Sequence, residues 1–146
     1  MANHLELAVS SYIDLIKLGA AVMPNGVVEH LYIGMSCIEV GATNLLPLAY
    51  RLAPADCRAI AEELTRVARK IPPPQEAIRR EWETFERRFS PRRTLVVRVQ
   101  RWFPRSRFNQ VDARIRADGE ASRQLLEKTI RAFAARADES PEAVKK

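Results

Sequence analysis

The stretch Asn25–Arg51, NGVVEHLYIGMSCIEVGATNLLPLAYR, limits the folds open to this chain more than any other segment. Its residues Val28, Leu31, Met35, Ile38, Ala42, Leu45 and Ala49 recur at alternating steps of three and four. That is the spacing of a helix face buried against other helices. A second line, His30, Ile33, Cys37, Val40 and Asn44, is also largely apolar, and Gly34 and Gly41 lie on a third. Only Glu29, Tyr32, Ser36, Glu39 and Thr43 form a narrow stripe suited to water. A helix with so little polar surface belongs at the centre of a bundle. The stretch also reaches membrane-spanning length, but Glu29, His30, Glu39 and Asn44 inside it argue against a bilayer crossing.

The 146 residues suit one domain, and the remaining segments supply helical partners. Residues 3–22 carry a stripe of Leu5, Ala8, Tyr12, Leu15, Gly19 and Val22, widened by Val9, Ile13, Ile16 and Ala20. Met23-Pro24-Asn25-Gly26 breaks this helix, and so short a break predicts an antiparallel hairpin with the central one. Pro47 predicts a kink or a stop at Leu45–Leu46, with Leu48, Tyr50 and Leu52 packing on the exit. Pro54 starts a third helix over 54–70, patterned by Ala59/Ile60, Glu63/Leu64 and Val67/Ala68 and closed by Arg69 and Lys70. Ile71-Pro72-Pro73-Pro74 predicts a stiff linker at 71–74, dividing 1–70 from a second, basic helical layer at 75–137.

Within that layer, a fourth helix over 75–89 presents Ile78, Trp82, Phe85 and Phe89 and is stopped by Ser90-Pro91. For 92–103, RRTLVVRVQRWF, β-branched residues favour a strand, but a helical stripe exists and no partner strand does, so helix is preferred. A last helix over 108–137 buries Val111, Ile115, Gly119, Ser122, Leu126, Ile130 and Phe133, and 138–146 form a polar tail. The expected fold is all-α, five or six helices in antiparallel hairpins.

Catalysis and metal binding find little footing. His30, Cys37 and Asn44 are the residue types of a thiol-protease triad, but seven residues along a helix is a rise of about 10.5 Å, far beyond hydrogen-bond reach. A polar seam in a helix–helix contact is the expected role instead. Glu29 and Glu39, ten residues apart, cannot pair on one helix, although Glu6 or Asp14 could meet one of them across the hairpin. His4 and His30 lack ligand partners at i+3 or i+4, and no phosphate-loop, dinucleotide or nucleophile-elbow motif occurs, so no cofactor is expected. Cys37 and Cys57 fit no zinc or redox spacing and read as free thiols. Gly34 and Gly41 are expected to serve close helix approach.

Charge is the one feature pointing outward. The net +6 is concentrated between Arg79 and Arg116, where twelve arginines meet four acids, whereas residues 1–48 carry −3. Arg92, Arg93, Arg98, Arg101, Arg105 and Arg107 surround Trp102 and Phe103. Such a segment could lie on an anionic membrane, or grip nucleic-acid phosphates with Trp102 or Phe103 stacked on a base. The alternative leaves the aromatics in the core and the arginines paired with Glu81, Glu83, Glu86 and Asp112.

The runs SSYIDLIKLGAAV…NGVVEHLYIGMSCIEVGATNLL, LAPADCRAIAEELTRV…IPPPQEAIRREWETFE and FPRSRFNQVDARIRADGEASRQLLEKTIRAF together resemble helical-hairpin, tetratricopeptide-like proteins common in planctomycete-type bacteria. The resemblance covers roughly residues 6–135 and implies two packed helical hairpins. It also implies a portion of a longer protein following an N-terminal transmembrane anchor. It brings no activity and no functional residues. The function expected is a non-catalytic scaffold or protein-interaction module, cytoplasmic or peripheral to the cytoplasmic face of a membrane through 92–108. The alternative is nucleic-acid binding through 79–116.

Overall fold

Helix is the only regular structure among the described residues, which are 2–25, 28–76, 78–80, 83 and 105–139 of the computed structural model. Five α-helices follow one another: α1 (Ala2–Val22), α2 (Val28–Leu45), α3 (Pro54–Ala68), α4 (the helical residues 74–76, 78–80 and 83) and α5 (Arg105–Ala137). The 3-10 turns η1 (Met23–Asn25) and η2 (Leu46–Arg51) join the first three. The all-α expectation of five or six helices holds. The expected helix or strand at 92–103, most of the helix at 75–89 and the tail beyond Glu139 lie outside the described residues.

Proline sets the boundaries. Pro24 lies in η1, Pro47 in the first turn of η2 and Pro54 at the start of α3, each where a missing N–H costs little. The chain stops α2 at Leu45 and tightens into η2. In a 3-10 turn every third residue shares a face. Ala49 is therefore buried and Leu52 half-buried, while Tyr50, expected to pack there, points away and is 73% exposed. The linker is shorter than expected, because Pro74 already begins α4. Its ring packs on α5, where a Cβ on Gly119 would stand 2.5 Å from Pro74 Cγ.

The α1–α2 hairpin is antiparallel and very close. A Cβ on Gly19 would lie 2.6 Å from the Gly34 carbonyl oxygen, and one on Gly41 would lie 2.9 Å from that of Tyr12. Glycine at these positions lets two helix backbones meet, which is the packing use expected of Gly34 and Gly41. On its other flank α2 packs against α5, and α5 against α3, so α2 is the inner helix the sequence requires. Its predicted line Leu31, Met35, Ile38, Ala42, Leu45 and Ala49 is buried throughout. Fully buried Ile16, Leu31, Ile38, Leu45, Leu64, Ile115, Leu126 and Phe133 each contribute about 1.5–3 kcal/mol of apolar transfer.

Some rows shift relative to the sequence expectation. In α1 the innermost row is Val9, Ile13, Ile16 and Ala20, continued by Met23 of η1, while Leu5, Tyr12, Leu15 and Val22 are half-buried. The cause is that α1 meets α2 on one side and α3 on the other, so the row between the contacts is deepest. In α3 the buried residues are Cys57, Ile60, Ala61, Leu64 and Val67, and Ala59 is exposed. In α5 Thr129 replaces Ile130 as the buried residue. Its hydroxyl donates to the Leu125 carbonyl at 2.9 Å and lies 3.5 Å from that of Ala42, so burial leaves no unmet polar group.

Candidate functional site

In the basic segment, Arg92, Arg93, Arg98, Arg101, Trp102 and Phe103 lie outside the described residues, as do the side chains of Arg105 and Arg107, whose backbone belongs to α5. Four arginines at the ends of the basic region are described, and each has a carboxylate one turn away. Arg79 pairs with Glu83 at 3.8 Å, Arg114 with Asp118 at 3.9 Å, Arg116 with Asp112 at 2.5 Å, and Arg80 with Glu76. Glu83 and Asp112 are among the partners the sequence suggested. All are (i, i+4) pairs on helix surfaces, with Glu76 and Asp112 half-buried and the other members exposed, and such pairs are worth a few tenths of a kcal/mol each.

The possible triad does not assemble, and neither does the polar seam expected in its place. His30 and Asn44 are exposed and Cys37 is half-buried. The Asn44 amide donates to the Val40 carbonyl of its own helix at 2.8 Å. The carboxylates do not pair across the hairpin either. Asp14 faces Lys17 at 3.6 Å, and Lys17 reaches across to Glu63 of α3 at 2.5 Å. The Glu63 hydrogen bond holds the Lys17 ammonium above its ordinary range, so at the alkaline end this tie survives past the ordinary lysine value of 10.5 and is lost as pH rises through the raised one. Among the described residues no group of three or more His, Cys, Asp or Glu is placed to hold a metal ion.

The thiols differ in environment. Cys57 is fully buried with Sγ 3.5 Å from the Ala49 carbonyl, and burial pushes its thiol up, with Arg136 partly opposing. Cys37 sits half-buried at the seam of α1 and α2. In dilute native protein, a disulfide reagent should therefore modify Cys37 rapidly and Cys57 only at the rate of unfolding. Equal rates would mean that η2 and α3 do not enclose Cys57.

Among the described residues, clefts open between the helices. One of about 210 Å3 between α2 and α5 is lined by Tyr32, Met35, Ser36, Glu39, Asp118 and Ser122. Another of about 440 Å3 runs between α3 and α5, past Arg58, Arg66, Arg69, Ile130 and Ala134. Glu39 and Asp118 share the first cleft, but Asp118 pairs with Arg114, and Ser122 spends its hydroxyl on the Asp118 carbonyl at 3.0 Å.

Four of the five large hydrophobic residues exposed among the described residues lie on the α1–α2 hairpin. Leu7 and Leu18 lie three turns apart on α1 and are 63% and 54% exposed. Ile33 and Val40 lie two turns apart on α2 and are 53% and 51% exposed. The two lines flank one seam: Leu18 adjoins Gly19, and a Cβ there would stand 3.1 Å from Cys37 Cβ, between Ile33 and Val40. Leu15, Val22 and Cys37 floor the seam half-buried. Sequence periodicity assigned Ile33 and Val40 to a packed second line and gave no role to Leu7 and Leu18. Their signal was an apolar residue at each end of the otherwise polar line Leu7, Ser11, Asp14, Leu18. Glu29–Arg51 remains the one stretch among the described residues long and apolar enough to cross a membrane by length and composition, and 39% of it is buried in this fold, where α2 packs against α1 and α5.

Compared with known proteins, the chain matches no family model, no curated protein and no solved structure.

Proposed function

We propose that this chain is a non-catalytic helical scaffold that binds another protein surface through the outer face of the α1–α2 hairpin. The observation behind the proposal is the exposure of Leu7, Leu18, Ile33 and Val40 on one face. Single exposed apolar residues are ordinary, but apolar side chains grouped on one face are the kind of surface through which proteins bind one another. The basic segment 92–108 is proposed as an auxiliary contact to an anionic membrane surface, on the strength of its arginines and Trp102.

Nucleic-acid binding through 79–116 is the second reading, supported by the +8 balance of that region. The pairing of Arg79, Arg80, Arg114 and Arg116 with neighbouring carboxylates leaves those four with less charge to offer phosphates, which favours the first reading.

A photo-cross-linking amino acid placed in living cells at Ile33, at Val40 and, as control, at exposed Glu120 of α5 tests the choice. Protein adducts from the two hairpin positions and none from Glu120 are expected. No protein adduct at either hairpin position ends the proposal, and salt-sensitive binding of purified chain to DNA or RNA would then install the second reading.

A further inference from the structure

We infer that the groove between α3 and α5 binds an acidic amphipathic helix of a partner protein, its apolar side chains entering two clefts and its carboxylates meeting arginines on the rim. The groove shares no residue with the α1–α2 hairpin, so the inference stands or falls apart from the hairpin reading.

Shape is the first reason. The two helices run antiparallel: Arg58 in the first turns of α3 donates to the Ala137 carbonyl at the end of α5 at 3.3 Å. One cleft, of about 440 Å3, is walled by Ala61 and Ala134, and a second, of about 310 Å3, by Ala68, Ile71 and Leu126. Both include Thr65, Arg69 and Ile130, so they form one continuous groove. From Ala61 to Ala68 along α3 is a rise of about 10.5 Å, the distance between side chains i and i+7 of a third helix. Thr65 donates its hydroxyl to the Ala61 carbonyl at 2.7 Å, so apolar anchors entering the groove leave that hydroxyl satisfied.

Charge selects the partner. Five arginines line the groove, Arg58, Arg66, Arg69, Arg123 and Arg131, against Glu62, Glu127 and Asp138. Asp138 faces Arg58 at 3.9 Å, and the Glu127 carboxylate is shared by Arg123 at 3.5 Å and Arg131 at 3.8 Å. Arg66 and Arg69 are exposed and make no ion pair among the described residues, and Arg69 stands where the two clefts join. The second cleft holds three arginines and one carboxylate. Guanidinium groups take carboxylates bidentately, so an acidic segment answers an excess that a neutral or basic one leaves unpaired.

The occupant's backbone follows from the fold. Among the described residues there is no strand edge to pair with an extended peptide, whereas a helix satisfies its own backbone and lays an apolar row into a groove. A bilayer or a nucleic acid would reach the rim arginines but not the alanine walls between them.

Fluorescence anisotropy tests this, with the full chain titrated into a labelled peptide of about fourteen residues. The peptide carries leucines at i, i+4 and i+7, glutamates flanking them and alanine elsewhere; its counterpart has lysine for each glutamate. Saturable binding of the acidic peptide is expected, with the lysine counterpart about tenfold weaker or worse. Arg66→Glu with Arg69→Glu should weaken the acidic peptide about tenfold and strengthen the lysine one. Ala134→Trp should weaken both by filling the first cleft, and Lys128→Glu, outside both clefts, should change neither. All four substituted positions are exposed, so helical circular dichroism should match the wild type. No binding of the acidic peptide overturns the inference, as does an equal loss in Lys128→Glu and the double arginine variant. Loss in the double arginine variant with Ala134→Trp unaffected also overturns it, and marks a plain polyanion patch.

Discussion

Replacing Gly19 by valine lowers stability by about 3 kcal/mol, because the α1–α2 hairpin has no room for a side chain at that point. A Cβ there stands 2.6 Å from the Gly34 carbonyl oxygen, 2.9 Å from Ile38 Cγ1 and 3.1 Å from Cys37 Cβ. The nearest neighbour is backbone, so relief requires moving one helix rather than turning a side chain. Valine also lacks the full helix-propensity gain of about 1 kcal/mol that Gly→Ala would bring, which makes it the cleaner probe. Against a total of roughly 5–15 kcal/mol for a domain, the loss is large. Urea unfolding followed by circular dichroism measures it, and a midpoint within error of the wild type would refute the close approach of α1 and α2. Gly119→Ala is the contrast. There a Cβ meets the Pro74 ring at 2.5 Å and Met35 Sδ at 3.3 Å, side chains that can shift, so its cost should be smaller.

Phe133→Ala is expected to cost about 3–5 kcal/mol through lost transfer energy and an unfilled cavity. Phe133 is fully buried. On α5 it stands one turn beyond Thr129, whose hydroxyl meets the Ala42 carbonyl of α2, and one turn before Ala137, whose carbonyl accepts from Arg58 of α3 at 3.3 Å. Truncation therefore loosens α5 on both its partners, whereas Phe133→Leu keeps most of the volume and should cost no more than about 1.5 kcal/mol. Thermal melts of the two variants separate these cases. A Phe133→Ala chain as stable as Phe133→Leu would place the side chain outside the core.

The helices and their limits were legible in the sequence because their causes are local. Pro24, Pro47 and Pro54 forbid continuation wherever they stand, and three-four spacing marks Leu31 to Ala49 as a buried line whatever packs against it. The site was less legible. Ile33 and Val40 share the hydropathy of the core, and their own helix gives them no mark of exposure. Tyr50 looked ready to pack until the turn type, 3-10 rather than α, set which residues share a face.

What the sequence determined by itself is an all-helical chain with a glycine-bearing inner helix, free thiols and a basic region confined to 79–116. Spacing, proline and charge are properties of the chain alone. Only the tertiary structure decided which flank of that inner helix is covered. Burial is a relation between elements: α1 occupies one side of α2 and α5 another, and nothing among the described helices covers the flank bearing Ile33 and Val40. The same packing drew Thr129 inward and Cys57 beneath η2, because neighbouring carbonyls meet their polar atoms there.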